Sequence, residues 1–181
     1  MNRKAFYDAI RPKLFGGSLT QSQVDGINAV LDEWEKRGLK DLRWLAYMLA
    51  TDKHETNATM QAVREAYWLS EDWRKTHLRY WPYYGRGLVQ LTWEANYRAM
   101  SSVVGDDLVA NPDGALDLGI AVQIMFHGME HGIFTGRKLG DYFNATADDP
   151  VGARRIINGT DKAQLVAAYH YDFLAALRAA A

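Results

Sequence analysis

The stretch from Asp41 to Asn57 constrains this chain more than any other. In a helix starting near Asp41, Leu42, Leu45, Ala46 and Leu49 fall on one face and Trp44, Tyr47 and Met48 on another. A helix that is apolar almost all round must be surrounded by other elements. Its longest apolar run, Trp44 to Ala50, is far short of the roughly 20 residues that cross a bilayer, so it reads as the centre of a globular core. That core helix then runs directly into Asp52-Lys53-His54-Glu55-Thr56-Asn57 and carries titratable groups out of the interior.

The remaining pattern supplies helices to surround it. Thr20-Gln21-Ser22-Gln23 is a capping box; it opens a helix with Val24, Ile27, Val30, Leu31 and Trp34 on one stripe, closed by Gly38. Thr92 is placed to cap a helix running to about Val104, ended by Gly105. Asn111-Pro112-Asp113-Gly114 reads as a turn, Ala115 to Gly132 as a helix, and Asp149-Pro150 as the start of a short helix that Gly159 closes. Asp161 is expected to cap a final helix with Leu165, Val166, Tyr169, Phe173 and Leu177 as its core face. Residues 56–91 read as mostly loop, with short extended pieces near Leu88 to Leu91; a loop that long inside a compact domain is usually functional. No repeat or linker divides the 181 residues, so the expectation is one domain, 1–181, mainly α-helical with at most a small β element.

Composition narrows the function. Lys plus Arg number 21 against 22 Asp plus Glu, a net charge of -1, which gives no general attraction to nucleic acid or an anionic membrane. With no cysteine there is no thiolate metal site, disulfide or cysteine nucleophile. The opening residues carry no apolar run of signal-peptide type. His127 and His131 are spaced i, i+4 around Glu130, but not in the order of a zinc protease motif, and read as structural. No metal or cofactor is expected.

Among the carboxylates, Glu55 falls on the Trp44/Met48 stripe at the end of the buried helix. Apolar surroundings and the negative end of the helix dipole would both keep its proton on, as a general acid requires; simple pairing with a neighbouring cation is the competing expectation. Glu65 follows ten residues later, and on a continuous helix the two would lie roughly 15 Å apart on different faces. The chain must reverse between them if they act together, and Thr56-Asn57-Ala58-Thr59, poor in helix formers, is where it could. Inverting glycosidases hold such a pair roughly 6.5–9.5 Å apart and retaining ones about 5–5.5 Å, a choice the spacing leaves open. Asp52, Glu71 and Asp72 read as surface charges. A third cluster, Tyr83-Tyr84-Gly85-Arg86-Gly87 through Gln90, Thr92, Trp93, Asn96 and Tyr97, offers flat aromatic faces and hydrogen-bonding groups, which suit a sugar.

Taken in order, His54-Glu55-Thr56, Val63-Arg64-Glu65, Tyr83-Tyr84-Gly85-Arg86-Gly87, Val89-Gln90-Leu91-Thr92-Trp93, Asn96-Tyr97 and Ile156-Ile157-Asn158-Gly159 resemble glycoside hydrolase family nineteen. Leu19-Thr20-Gln21 through Asn28 and Phe134-Thr135-Gly136 through Phe143 are similar to its bacteriophage endolysin branch. The resemblance implies a lysozyme-like, chitinase-like helical domain, with Glu55 as general acid and Glu65 as general base of an inverting hydrolase. It implies Tyr84, Arg86, Gln90, Thr92, Asn96 and Asn158 as substrate contacts. The chain departs from the pattern at Asn57, where Gly is common, and at Ala95, where plant members have Tyr. The family's arginine in the helix after Ile-Asn-Gly has no clear counterpart near Leu165.

The resulting expectation is a peptidoglycan-degrading endolysin acting on glycan strands. It would be a monomer, without a nucleic-acid partner or stable membrane association, held in the host cytoplasm until a holin releases it to the periplasmic wall. The alternatives are a chitinase and, in another class, a non-catalytic wall-sugar-binding or virion structural module.

Overall fold

The computed structural model describes residues 1–181. Eight α-helices surround one core: α1 (Arg3–Leu14), α2 (Gln21–Arg37), α3 (Leu42–Glu55), α4 (Glu71–His77), α5 (Glu94–Val104), α6 (Leu118–His131), α7 (Leu139–Tyr142) and α8 (Ala163–Ala179). The only sheet is a two-stranded antiparallel one, β1 (Val63–Arg64) with β2 (Arg86–Gly87), in which Val63 faces Gly87 and Arg64 faces Arg86. Single turns of 3-10 helix at Pro112–Leu116 and Gly152–Ile156 complete the fold, a mainly α one.

Helix α3 is central, as its two-sided apolar pattern requires: every residue from Leu45 to Lys53 is buried. Its most extensive packing is against α8, which in turn packs on α1. Helices α2 and α6 meet on another side, and α5 packs on α6. Each fully buried Leu, Ile or Phe in this assembly contributes about 1.5–3 kcal/mol through removal from water.

The Thr20/Gln23 capping box forms as the sequence indicates, Gly38 ends α2 in the left-handed conformation, and Asp41 caps α3 by accepting from the Arg43 amide. Other boundaries move. Helix α1 forms before Thr20, where the sequence reading places none; its Phe6, Ile10 and Leu14 recur every four residues and are buried. Helix α4 lies inside the expected loop, capped by Ser70 accepting from the Trp73 amide. The extended pair sits at 86–87, because Leu88 to Leu91 turns back so that the Arg86 and Leu91 backbones bond each other. Thr92 does not cap α5: its hydroxyl donates to the Gln90 carbonyl, and Trp93, at φ 75°, takes the cap position without a side-chain bond. Helix α6 starts at Leu118 under an Asp117 cap, since 112–116 winds as 3-10. Nor does Asp161 cap α8, which begins at Ala163 after a left-handed Lys162. Leu165, expected in the core, is 41% exposed.

Asp52 is also inside rather than on the surface. It is fully buried, its carboxyl oxygens have no partner, and desolvation holds its pKa well above the usual carboxylate range. The His170 ring, stacked 5.2 Å from Phe143 and tilted against Tyr47 at 5.8 Å, has both nitrogens unpartnered. Burial lowers its pKa to about 4.

This lowering carries a sign. Above pH 6.5 His170 is neutral in both folded and unfolded chains; below it the unfolded chain binds a proton the folded one refuses, so stability falls with pH until about pH 4. The loss at pH 5 is about 2 kcal/mol. His170→Phe should therefore raise the melting temperature by about 4–8 °C more at pH 5 than at pH 8, measured by thermal unfolding; an equal change at both pH values would contradict it.

Candidate active site

The reversal expected after Glu55 is made by residues 57–60. Asn57, Ala58 and Met60 all take positive φ, between 52° and 62°. The Thr56 hydroxyl supports the turn, donating to the Asp52 carbonyl and accepting from the Met60 amide. Gly26 of α2 provides the seat: a Cβ there would lie 1.6 Å from the Met60 carbonyl oxygen. The chain then enters β1 and arrives at Glu65, whose amide bonds the Gly85 carbonyl at 2.7 Å.

Glu55 and Glu65 thus line one cleft. Its main chamber, of about 440 Å³, is walled by both glutamates with Tyr80, Val89, Gln90, Leu91, Thr92, Trp93, Asn96, Phe134, Thr135, Ile157 and Asn158. A second chamber of about 350 Å³ shares Glu55 and Gln90 and continues past His54, Asn57 and Arg64 to Tyr67 and Trp68. Aromatic pairs stand at each end. Tyr80 and Trp93 meet edge to face at 4.9 Å, and Tyr67 and Trp68 at 5.1 Å, with Trp68 69% exposed.

The two carboxylates are held differently. On Glu65 both oxygens accept, Oε1 from the Tyr80 hydroxyl at 2.9 Å and Oε2 from the Gly85 amide at 3.0 Å, as the oxygens of an ionised carboxylate can. Burial, with the Glu65 bond adding to it, pushes the Tyr80 phenol up to about 12, so it remains a donor. On Glu55, Oε1 accepts from Nη1 of Arg154 at 2.5 Å, while Oε2 takes no bond from the protein. Arg154 is 1% exposed and its Nε donates to the Asp161 carbonyl at 2.8 Å.

Of the two expectations for Glu55, apolar surroundings or pairing with a cation, the structure shows the pairing, with a buried arginine. The resemblance implies an arginine after Ile156-Ile157-Asn158-Gly159; Arg154 lies two residues before that motif, in the 3-10 turn. The signal available was an arginine at the edge of an apolar motif, which is ambiguous without the fold. Beside Glu55, His54 is half-buried, and desolvation lowers its pKa despite the opposing effect of the carboxylate.

Among the expected substrate contacts, Gln90, Thr92, Asn96 and Asn158 all line the main chamber. Gln90 donates to the Val63 and Gly87 carbonyls, which leaves its Oε1 as the free end of the amide. Asn96 donates to the Thr92 carbonyl. Phe134 reaches the wall because Gly128 of α6 has no side chain; a Cβ there would be 2.0 Å from its ring.

Tyr84 and Arg86 do not belong to this chamber. They lie behind the hairpin, where they are 1% and 4% exposed. Arg86 bonds Asp113, the Pro82 and Tyr84 carbonyls and the Tyr97 hydroxyl, and stacks 3.7 Å from the Tyr84 ring centre. They hold the loop that carries Gly85 and Gln90.

With this geometry in view, the known proteins that this chain resembles are glycoside hydrolases. Residues 45–128, a segment that contains both glutamates, match the family model for class I chitinases, glycoside hydrolase family nineteen. A stretch of 32 residues is 59% identical to Chitinase 8 of Oryza sativa subsp. japonica, a match that spans 18% of this chain and 12% of the rice protein. Chitinase C from Streptomyces griseus HUT6037 superposes with a TM-score of 0.61 at 19% identity, covering 98% of this chain and 75% of that one. A bacterial family 19 chitinase gives 0.59 at 21% identity, covering 96% and 93%. At these identities the superpositions establish a shared fold.

Two substitutions probe the site. A methyl at Gly85 would sit 2.8 Å from Gln90 Oε1 and 3.2 Å from Glu65 Oε2, so Gly85→Ala should displace both and lower kcat by about 10²-fold, as a misplacement near 1 Å does. Arg154→Lys keeps the charge but cannot hold Glu55 and the Asp161 carbonyl together; the loss of one charged hydrogen bond, about 1.5–3 kcal/mol, corresponds to a kcat about 10- to 100-fold lower. Steady-state kinetics on a soluble glycan oligomer check both, and wild-type kcat in either would contradict the assignment.

Proposed function

We propose that the protein is a peptidoglycan-degrading endolysin that hydrolyses β-1,4 bonds of glycan strands by inversion. The observation that carries the reading is the placing of Glu55 and Glu65 in one polar cleft with unlike partners. Glu55 is the general acid: Arg154 fixes Oε1, and a proton on the unpartnered Oε2 passes to the leaving glycosidic oxygen. Glu65, anchored through both oxygens, is the general base that takes a proton from water as that water attacks the anomeric carbon from the opposite face. The free Oε1 of Gln90 and the side chains of Thr92, Asn96 and Asn158 orient sugar and water, and Trp93 and Tyr80 offer apolar faces to the ring.

Support for peptidoglycan comes from the endolysin-like segment Phe134-Thr135-Gly136, since Phe134 and Thr135 wall the cleft itself. The Thr135 hydroxyl ties this wall to the backbone at Arg155 and Ile156, beside the turn that carries Arg154. In this reading the cysteine-free chain is stored in the host cytoplasm and released by a holin to the periplasmic wall, where it acts as a monomer. No helix is long and apolar enough to cross a membrane. A second reading, cleavage of β-1,4-linked N-acetylglucosamine, is favoured by the chitinase names of the matched proteins.

Incubation with purified peptidoglycan and with chitin oligomers, followed by mass spectrometry of the new reducing ends, separates the two. N-acetylmuramic acid ends are expected; cleavage of chitin oligomers alone overturns the endolysin reading. Glu55→Gln should lower peptidoglycan turnover by about 10³-fold or more, a loss of roughly 4 kcal/mol of barrier reduction, while wall binding persists. Undiminished lysis by that variant would mean that Glu55 is not the acid, and absence of any cleavage by the wild type would instead support a non-catalytic module.

A further inference from the structure

Behind the hairpin that carries Glu65 lies a separate cavity of about 780 Å³, lined among others by Arg64, Arg74, Arg86, Glu71, Asp113 and Asn111. Three guanidinium groups face two carboxylates there. Asp113 is shared, accepting from Arg64 Nη2 at 2.5 Å through one oxygen and from Arg86 Nε at 2.8 Å through the other. Glu71 is occupied by Arg74, Tyr84 and Trp81. The lining therefore carries one uncompensated positive charge. Arg74 and Arg86 are only 7% and 4% exposed, whereas Arg64 is 38% exposed, so the charge lies at the boundary of protein and solvent, where Coulomb attraction is stronger than in bulk water. The side-chain amide of Asn111 forms no hydrogen bond within the protein and is available to a ligand.

The cavity opens toward the cleft. Arg64 and Tyr67 line both it and the chamber that contains Glu55. Arg64 directly precedes Glu65, and alternation along the extended chain sends the two side chains to opposite sides. A glycan seated across Glu55 and Glu65 thus passes the mouth of a cationic cavity on the Tyr67 side. A neutral N-acetylglucosamine polymer has nothing to place there.

We propose that this cavity is an anion-binding subsite for the carboxylates that muramic acid residues carry, with Arg64 as its entry and the residue that sets the preference for charged over neutral strands. The inference rests on the peptidoglycan reading above and assigns that substrate's charged substituent a place. Guanidinium groups suit it because they bind a carboxylate through parallel N–H donors. Asp113 serves to position Arg64 and Arg86 when the subsite is empty and leaves one positive charge for the ligand.

The test compares kcat and KM of wild type, Arg64→Gln and Arg64→Lys on soluble glycan strands prepared with stem peptides, stripped of stem peptides to leave lactyl carboxylates, and with all carboxyls amidated. Wild type should show a KM about tenfold lower for carboxylate-bearing than for amidated strands, a preference that weakens with added salt. Arg64→Gln should erase the preference and Arg64→Lys retain part of it; a merely structural role for Arg64 would change all substrates alike. Persistence on stripped strands identifies the lactyl carboxylate as occupant, and dependence on the peptides identifies the stem. Equal KM values in wild type, or an unchanged preference in Arg64→Gln, overturn the subsite while leaving peptidoglycan cleavage intact. Cleavage of chitin oligomers alone by wild type overturns the underlying reading and the subsite with it.

Discussion

The ion pair between Arg154 and Glu55 joins parts of the chain 99 residues apart and fixes where the rest of the site can be. The guanidinium is buried and would be left uncompensated without the carboxylate, a loss worth about 3–5 kcal/mol when one partner of such a pair is removed. Its other contact, to the Asp161 carbonyl, draws in the segment leading to α8. Since α8 is the principal neighbour of α3, the pair closes a loop of mutual support: packing of the two helices brings Arg154 to the end of α3, and the pair holds that end in register with Ile157 and Asn158 on the cleft wall.

Glu65 depends on a different kind of support. Its position comes from backbone pairing, with its own amide and carboxylate both anchored at Gly85, and that loop is held from behind by Arg86 and Tyr84. One glutamate is thus set by tertiary packing and an ion pair, the other by a short ladder and a buried hydrogen-bond cluster.

The sequence made α3 legible because a two-sided apolar pattern admits one structural solution, and α2 legible because capping box, stripe and terminal glycine agree. Glu55 followed from its place at the end of α3. Gln90, Thr92, Asn96 and Asn158 were reached through motif resemblance, since nothing in their spacing shows which face of a loop they occupy. The same resemblance grouped Tyr84 and Arg86 with them, and the turn at Leu88 to Leu91, with Gln90 at φ 55°, separates them. Arg154 could not be found because its role depends on burial and on a partner distant in sequence. Asp52 looked like surface charge because its neighbours Lys53 and His54 are polar, yet it faces inward from the most buried helix.

The left-handed turn at residues 57–60, seated on Gly26, has a mechanical consequence. Both glutamates lie on one short tether, clamped at the α3 end by Arg154 and at the strand end by Gly85, whereas Trp93 and Asn96 belong to another segment. Breathing of the cleft can then proceed by displacement of that other wall. The span between the two carboxylates behaves as a fixed gauge built into a single segment, insulated from such movement.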